Sequence, residues 1–162
     1  MKQALISPNE PVRSYGGVLL GERVAETAAT PFEVAPPMFW IACADDVVAD
    51  AWYYDLATSQ IVQIPEAPAI TASFSPSPTL VNLQTTLTWS VASATNVKLS
   101  SYGDQLFPAS GSVNFTYANA GTYSETITAI DPNGNVSRAV SIKVVQTQAE
   151  MTSSGNLPFT VA

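Results

Sequence analysis

The sequence contains no histidine, a single cysteine and few basic side chains among its 162 residues. The absence of histidine excludes Ser-His-Asp and Cys-His catalysis and every His-ligated zinc site. The single cysteine, Cys43, excludes an intramolecular disulfide framework. Only 6 Lys and Arg stand against 13 Asp and Glu, so the clustered positive charge that phosphate groups require is missing. We therefore expect neither nucleic acid nor a membrane as a partner.

Long apolar runs are missing as well. Met1-Lys2-Gln3 leads into only three apolar residues before Ser7-Pro8, which is too short for the apolar core of a signal peptide. No run approaches the roughly 18 apolar residues that a membrane span requires. The simplest expectation is a soluble protein made and kept in a reducing compartment.

The composition changes near Pro65-Glu66-Ala67-Pro68, where two prolines favour an extended connector. Residues 1–65 hold 8 acidic and 3 basic residues but only 6 Ser or Thr, whereas the 97 residues that follow hold 27 Ser or Thr. The low-charge, Thr-rich second part suits pleated surfaces. We predict an N-terminal β-rich docking module at 1–65, a β-sandwich at 66–147 and a C-terminal tail or arm at 148–162.

The second part alternates apolar and polar residues with a period of two, which is typical of strands with one buried face. Turn residues separate the runs, and about seven strands in roughly 80 residues match an immunoglobulin-like sandwich. The whole chain is therefore predicted to be all-β. The clearest runs lie at 70–74, 85–91, 97–99, 113–117, 122–130 and 140–144.

Two segments carry a family resemblance. Ala120–Gly134, with its Gly-Thr-Tyr entry and Asp-x-x-Gly turn, resembles the penultimate strand of PKD-like and bacterial immunoglobulin-like modules, and Leu87–Val91 resembles their second strand. The resemblance covers about residues 69–147 and implies a fold rather than a function. It places Tyr123 at a tyrosine corner, where the phenol bonds upstream backbone.

Glu125 departs from this pattern, because it is in phase with apolar neighbours. An unpaired buried carboxylate costs several kcal/mol, so we expect either a bulge that turns it outward or a hydrogen-bond donor. A local structural explanation of either kind is favoured over a functional role.

The N-terminal part offers shorter strand candidates separated by Pro8, Pro11, Gly16-Gly17, Gly21 and Pro36-Pro37. Asp45 is interpreted as the cap of one helical turn through Val48, and Asp55 as the start of a hairpin turn within 54–61. About 65 residues is near the lower limit for an independent core, so this module is expected to need a partner surface. The candidate strands are 3–6, 23–26, 32–34, 38–43, 52–54 and 60–64.

The order of segments in this part resembles the start of small proteins encoded by tailed bacteriophages. The resemblance implies a genome context, a phage structural cassette, rather than a reaction. It is carried by Met1–Pro8, Gly21–Glu26, Phe32–Ala35, Phe39–Asp50 and Trp52–Asp55.

The acidic residues carry no evident chemistry. Asp45, Asp46, Asp50 and Asp55 could hold calcium, but no ladder of ligands is present, so capping, turns and solubility are favoured. Asp131, Asn133 and Asn135 have the opening spacing of an EF-hand, yet the required Gly and Glu are missing, and a hairpin turn is favoured. Nothing marks out the facing carboxylates of a glycosidase. Cys43 is interpreted as a small buried apolar residue. We predict no catalytic residues, no metal site and no cofactor.

The interface candidates are aromatic or apolar. In a small module such side chains are usually core, but adjacent strand residues face opposite ways, so some must point outward. The tail has the composition of a loose terminus, and its apolar end could add a strand or plug to a neighbour. The candidates are Phe39, Trp40, Trp52, Tyr53, Leu157 and Phe159.

These observations favour a non-enzymatic structural virion protein of a tailed phage, most simply a capsid decoration or cement protein assembled in the host cytoplasm. Its partners would be the major capsid protein or tail proteins, in a homo-oligomer or another symmetric assembly. The alternatives are a tail, baseplate or fibre-adaptor subunit, and a carbohydrate-binding module that recognises surface glycans with exposed aromatic residues.

Overall fold

The computed structural model describes residues 1–154, which divide into two compact units at Ala67 and Pro68. The predicted all-β class is confirmed, with a single α-helix in the described part of the chain. Leu157 and Phe159, two of the interface candidates, lie outside the described residues. No helix in residues 1–154 is long and apolar enough to cross a membrane.

The first unit is one five-stranded antiparallel sheet in the order β3-β1-β2-β4-β5. Its small core is a cluster of four buried residues, Ala4, Ile6, Val24 and Val47. The strands are β1 (Gln3–Arg13), β2 (Leu19–Ala28), β3 (Phe39–Ala42), β4 (Trp52–Asp55) and β5 (Gln60–Gln63).

Strand β1 is longer than predicted, because Pro8 and Pro11 do not end it. The register with β2 shifts between Ser7 and Pro11, and Asn9 has φ 74°, so the prolines fall at an irregularity where ladder donors are not required. Gly21 on β2 permits a close approach of β4: a Cβ there would lie 2.1 Å from the carbonyl oxygen of Tyr54.

Two local predictions for the first unit are wrong. Residues 32–34 form no strand, because this segment precedes Pro36-Pro37 and runs as an irregular loop without ladder partners. Asp45 begins a turn rather than a helical turn: the amide of Val47 donates to the carbonyl of Ala44 at 3.3 Å, and no helix follows. The hairpin at Asp55 is confirmed, since its carboxylate accepts bonds from the Ala57 amide and the Thr58 hydroxyl at 2.9 and 2.7 Å.

The second unit is a sandwich of a five-stranded and a three-stranded sheet, in the orders β10-β9-β12-β13-β7 and β11-β8-β6. The predicted alternation is confirmed: Leu87 and Trp89 face Val97 and Ile127 in one core, while Thr88 is exposed. The strands are β6 (Ala69–Ser75), β7 (Thr79–Leu80), β8 (Gln84–Ala92), β9 (Asn96–Leu99), β10 (Leu106–Pro108), β11 (Ser110–Thr116), β12 (Gly121–Ile130) and β13 (Val136–Val145).

A short helix, α1 (Gln148–Ser154), follows β13 where the composition suggested a loose terminus. It begins with a capping box: the Glu150 carboxylate accepts the Thr147 amide at 3.1 Å, and the Thr147 hydroxyl accepts the Glu150 amide at 3.4 Å. The Thr-x-x-Glu spacing is visible in the sequence and could have predicted this helix.

Candidate binding surface

The sheet of the first unit curls around its small core. The rings of Phe39 on β3 and Tyr54 on β4 lie 5.7 Å apart, although β1 and β2 separate these strands in the hydrogen-bonded order. Strands β3 and β5 form the two edges of the sheet. The curl brings these edges towards each other and leaves a seam between them.

A pocket of about 450 Å³ opens at this seam, and we call it the seam pocket. Its walls come from both edges of the sheet, from the loop after β3 and from the first residue of the chain. Most of the side chains that line it are apolar. They are Met1, Ile41, Ala42, Cys43, Ala44, Val47, Trp52, Ser59, Gln60 and Ile61.

The loop after β3 is fixed over the sheet by its ends and by Lys2. The Lys2 ammonium donates to the carbonyls of Asp45 and Val47, and the Cys43 amide donates to the Lys2 carbonyl at 3.0 Å. The Asp50 amide donates to the Val24 carbonyl, also at 3.0 Å. These hydrogen bonds hold the loop so that Val47 is buried in the core and forms part of the wall of the seam pocket.

Arg23 holds three segments together beside this loop. Its guanidinium contacts Glu10 on β1 at 2.9 Å and Asp50, just before β4, at 2.6 Å. These hydrogen bonds lower the pKa of both carboxyl groups and raise that of the guanidinium. Asp50 is thus engaged in a structural ion pair.

The four acidic residues singled out in the sequence have separate roles. Asp50 pairs with Arg23, Asp55 organises its own hairpin, and Asp45 and Asp46 form an exposed turn. In residues 1–154, no group of three or more His, Cys, Asp or Glu is placed to hold a metal ion. The Asp131 segment is the hairpin turn that the sequence predicted: the Asn133 amide donates to the Asp131 carboxylate at 2.8 Å between β12 and β13.

Cys43 is half-buried in the wall of the seam pocket and packs against the core cluster. Burial, together with the nearby carboxylates of Asp45 and Asp46, raises the pKa of its thiol despite the opposing charge of Lys2. A raised pKa keeps the thiol protonated at neutral pH, and a protonated thiol is a poor nucleophile. The side chain therefore serves as apolar lining, although it is less buried than predicted.

The aromatic interface candidates lie on opposite faces of the sheet. Trp52 packs against the core cluster and lines the seam pocket, and Phe39 is on the same face with 37% of its surface exposed. Trp40 and Tyr53 lie on the other face, because adjacent strand residues alternate. Phe32, 52% exposed, joins that face: its ring meets Trp40 edge-on at 5.2 Å, and its carbonyl accepts the Trp40 indole N–H at 2.9 Å. Sequence reasoning did not select Phe32 as an interface residue.

Strand β3 also offers backbone groups to a partner. The hydrogen bond from the Cys43 amide to the Lys2 carbonyl continues the ladder between β3 and β1. The backbone N–H and C=O groups of Ile41 and Phe39 therefore point towards β1. Because these groups alternate along a strand, the backbone N–H and C=O groups of Trp40 and Ala42 point away from β1, towards the unpaired edge of β3. A partner that inserts an apolar side chain in the seam pocket can thus also bond to this edge.

In the second unit, the buried carboxylate of Glu125 forms a polar site with three hydrogen-bond donors. Glu125 is 2% exposed and accepts bonds from the Ser100 hydroxyl at 2.9 Å, the Ser101 amide at 2.8 Å and the Ser101 hydroxyl. The ladder between β12 and β13 runs through Glu125 without a register shift. Of the two explanations that the sequence left open, the hydrogen-bond donor is confirmed and the bulge is not found.

The tyrosine corner is confirmed. The Tyr123 hydroxyl donates to the Asn119 carbonyl at 3.0 Å, and its ring stacks on Tyr117 at 4.1 Å between centroids.

Residues 70–144 match the family model of the PKD domain. This match supports a PKD-like domain, of a non-catalytic immunoglobulin-like type, in the second unit, and we call it the PKD domain. No curated protein matches the chain.

Proposed function

We propose that this chain is a non-enzymatic structural protein that docks on other proteins through the first unit and carries a PKD domain as an accessory module. The setting we propose is the virion of a tailed phage, where the chain decorates or cements the capsid shell. The observation that carries the docking role is the seam pocket, an apolar depression between two edge strands. The phage setting is supported by the sequence resemblance of residues 1–64.

Physical reasoning supports a protein as the occupant of the seam pocket. The core cluster of this unit has only four buried residues, while Phe39, on the same face of the sheet as the pocket residue Trp52, is 37% exposed. A small domain gains stability when such apolar surface is covered. An apolar side chain of a shell protein in the pocket, with its backbone along β3, would cover this surface. Repetition over a symmetric lattice would then add many modest contacts.

The deciding experiment blocks the pocket without disturbing the core. Ala44 lines the pocket and is exposed, so Ala44→Phe fills the opening from outside. Ala29 is an exposed alanine beyond β2, and Ala29→Phe is the matched control. Particles are assembled with wild-type or variant chain, and bound chain is measured by quantitative mass spectrometry. We expect at least a tenfold loss of bound Ala44→Phe chain and wild-type binding of the control.

Absence of the wild-type chain from purified particles would overturn the virion role. Equal binding of the pocket-blocked chain would overturn the docking site. Copy number separates the two locations in the particle: hundreds of copies indicate the shell, whereas about three to twelve indicate a tail, baseplate or fibre adaptor.

Partly exposed aromatic rings favour a second candidate, recognition of surface glycans. Trp52 and Tyr53 are both half-buried, which leaves part of each ring accessible for stacking on a sugar. Separate Trp52→Ala and Tyr53→Ala variants on a glycan array would test this candidate. Binding by the wild-type chain that either variant loses would support it, and no binding by the wild-type chain would exclude it for the glycans tested.

A further inference from the structure

The edge strands of the PKD domain differ in how they are protected from pairing with other chains. Strand β10 has three residues and contains Pro108, and β7 has only two. On β6, the carbonyl of Ile70 is occupied by the Arg138 guanidinium. Short length, proline and covered backbone groups are the usual defences of an edge.

Strand β11 has none of these defences. Its sequence from Ser110 to Thr116 contains no proline and no charged residue, and all seven residues pair with β8 without a register shift. Within residues 1–154, β8 is its only strand partner. The opposite side of β11 is thus a regular, uncharged edge that can accept another strand.

The register with β8 determines which backbone groups face this edge. The Val91 amide donates to the Ala109 carbonyl at 2.8 Å, which places the hydrogen-bonded pairs at odd-numbered residues of β11. The even-numbered residues therefore direct their N–H and C=O groups away from β8. These four residues, Ser110, Ser112, Asn114 and Thr116, are all exposed.

We propose that β11 pairs antiparallel with β11 of a second copy of this chain, across a two-fold axis at Val113. This register opposes Ser112 to Asn114 and Ser110 to Thr116 of the second copy. In each of these two pairs, both residues point their backbone N–H and C=O groups at the other copy. The paired segment spans all seven residues of β11. About eight backbone hydrogen bonds would form, and two three-stranded sheets would join into one continuous sheet.

The side chains of β11 are self-complementary in this register. On the inner face, Phe115 is opposed to Gly111 of the second copy, and Val113 is opposed to itself. Gly111 has no side chain because the ring of Trp89 fills the space: a Cβ would lie 2.7 Å from Trp89 Cζ2. The half-buried Phe115 can therefore extend over the glycine and beside the indole.

The outer face favours the same partner. Every opposed position there is a neutral hydroxyl or amide, so no like charges meet in spite of the net charge of -7. A two-fold contact uses the same patch twice, so the β11 edge of both copies is paired and the assembly closes at two chains. This interface involves only the PKD domain and does not depend on the seam pocket.

The test replaces the opposed polar residues Ser112 and Asn114 with charged ones. In Ser112→Lys/Asn114→Lys, lysines oppose each other twice across the axis, and in Ser112→Glu/Asn114→Glu glutamates do. An equimolar mixture instead opposes lysine to glutamate in a heterodimer. The control, Thr88→Lys/Ser90→Lys, adds the same charge to exposed positions on β8, one strand away from the edge.

Sedimentation equilibrium of the full chain, from about 10 μM to about 1 mM, suits the weak affinity of a small interface. We expect the wild-type chain and the control to dimerise, each charged variant to have a dissociation constant at least tenfold higher, and the mixture to regain dimers. A wild-type chain that stays monomeric over this range overturns the proposal. Undiminished dimers in both charged variants overturn it as well.

A measurement on the wild-type chain keeps the proposal open to refutation if the charged variants fail to fold. Amide hydrogen exchange is followed at the two ends of the concentration range. The amides of Ser112, Asn114 and Thr116 should become protected at high concentration. The amide of Thr88 faces β6 inside the sheet, so its protection should be the same at both concentrations. Dimerisation without added protection on β11 would assign the contact to another surface and overturn the proposal.

Discussion

The buried carboxylate of Glu125 allows a quantitative test of how a PKD domain tolerates a charge in its core. Its two oxygens accept the Ser101 amide and the Ser100 and Ser101 hydroxyls. Glu125→Gln can preserve this pattern, because the amide oxygen accepts the Ser101 amide and the NH₂ group donates to a rotated hydroxyl. Glu125→Ala removes every acceptor and leaves a cavity.

The expected costs follow from this difference. A hydrogen bond to a charged group contributes about 1.5–3 kcal/mol, and truncation of a buried side chain adds a cavity cost. Ser100 and Ser101 are exposed residues, so water can replace part of what is lost. We expect Glu125→Ala to lower the free energy of unfolding by about 2–4 kcal/mol and Glu125→Gln to lower it by about 1 kcal/mol. The exposed neighbour Ser124 supplies the control, Ser124→Ala, with an effect within about 0.5 kcal/mol.

Urea unfolding measures these costs through the fluorescence of Trp89, the tryptophan of the PKD core. Trp40 and Trp52 are replaced by Phe in every variant so that only this unit reports. An unchanged or raised free energy of unfolding in Glu125→Ala would refute the reasoning. A raised value would mean that the carboxylate is a cost to the fold, as expected of a residue kept for binding.

Three further predictions concern an ion pair, a close contact and the tyrosine corner. Because the pKa of Asp50 is lowered in the folded state, its pair with Arg23 stabilises the first unit above the ordinary pKa of an aspartate. That stabilisation is lost as the pH falls through the lowered pKa, so Asp50→Asn should weaken the acid dependence of unfolding below about pH 4. Gly111→Ala pushes a methyl group into the ring of Trp89 and should destabilise the PKD domain by about 1–3 kcal/mol, with a changed Trp89 emission spectrum. Tyr123→Phe removes the bond to the upstream carbonyl and should cost about 0.5–1.5 kcal/mol in urea unfolding.

Each of these predictions has a contrary outcome. The exposed Asp46 gives the control Asp46→Asn, and an equal change in acid dependence there would remove the ion pair as the cause. Ser112→Ala, on the same strand as Gly111 but exposed, should leave the Trp89 spectrum unchanged, and a similar shift would show that the strand rather than the close contact is responsible. An unfolding midpoint of Tyr123→Phe equal to that of the wild type would show that the corner bond contributes nothing to stability.

The sandwich could be predicted because its information is local. One buried face forces a period of two, and runs such as 85–91 carry that period plainly. Tyr123 and the Asp131 turn are equally local. The donors of Glu125 could not be predicted, because Ser100 and Ser101 lie 24 to 26 residues before the strand positions they bond and reach them only through tertiary folding.

The first unit was harder to predict because its decisive contacts are distant in sequence. Pro8 and Pro11 indicated a break, yet the irregular register with β2 accommodates them. The seam pocket joins Met1, Ile41 and Ile61, and only the curl of the sheet brings these residues together. The aromatic candidates were identified by type, but their division between two faces depends on the register of β3 and β4.

The small core of the first unit has a thermodynamic consequence for any partner it binds. A core cluster of four side chains leaves little margin against unfolding. A ligand of the folded form will therefore raise the melting temperature, and the rise will grow with the logarithm of its concentration once that exceeds the dissociation constant. Thermal denaturation of this unit can therefore report occupancy of its surface before the partner's identity is known, and a titration would yield the affinity directly.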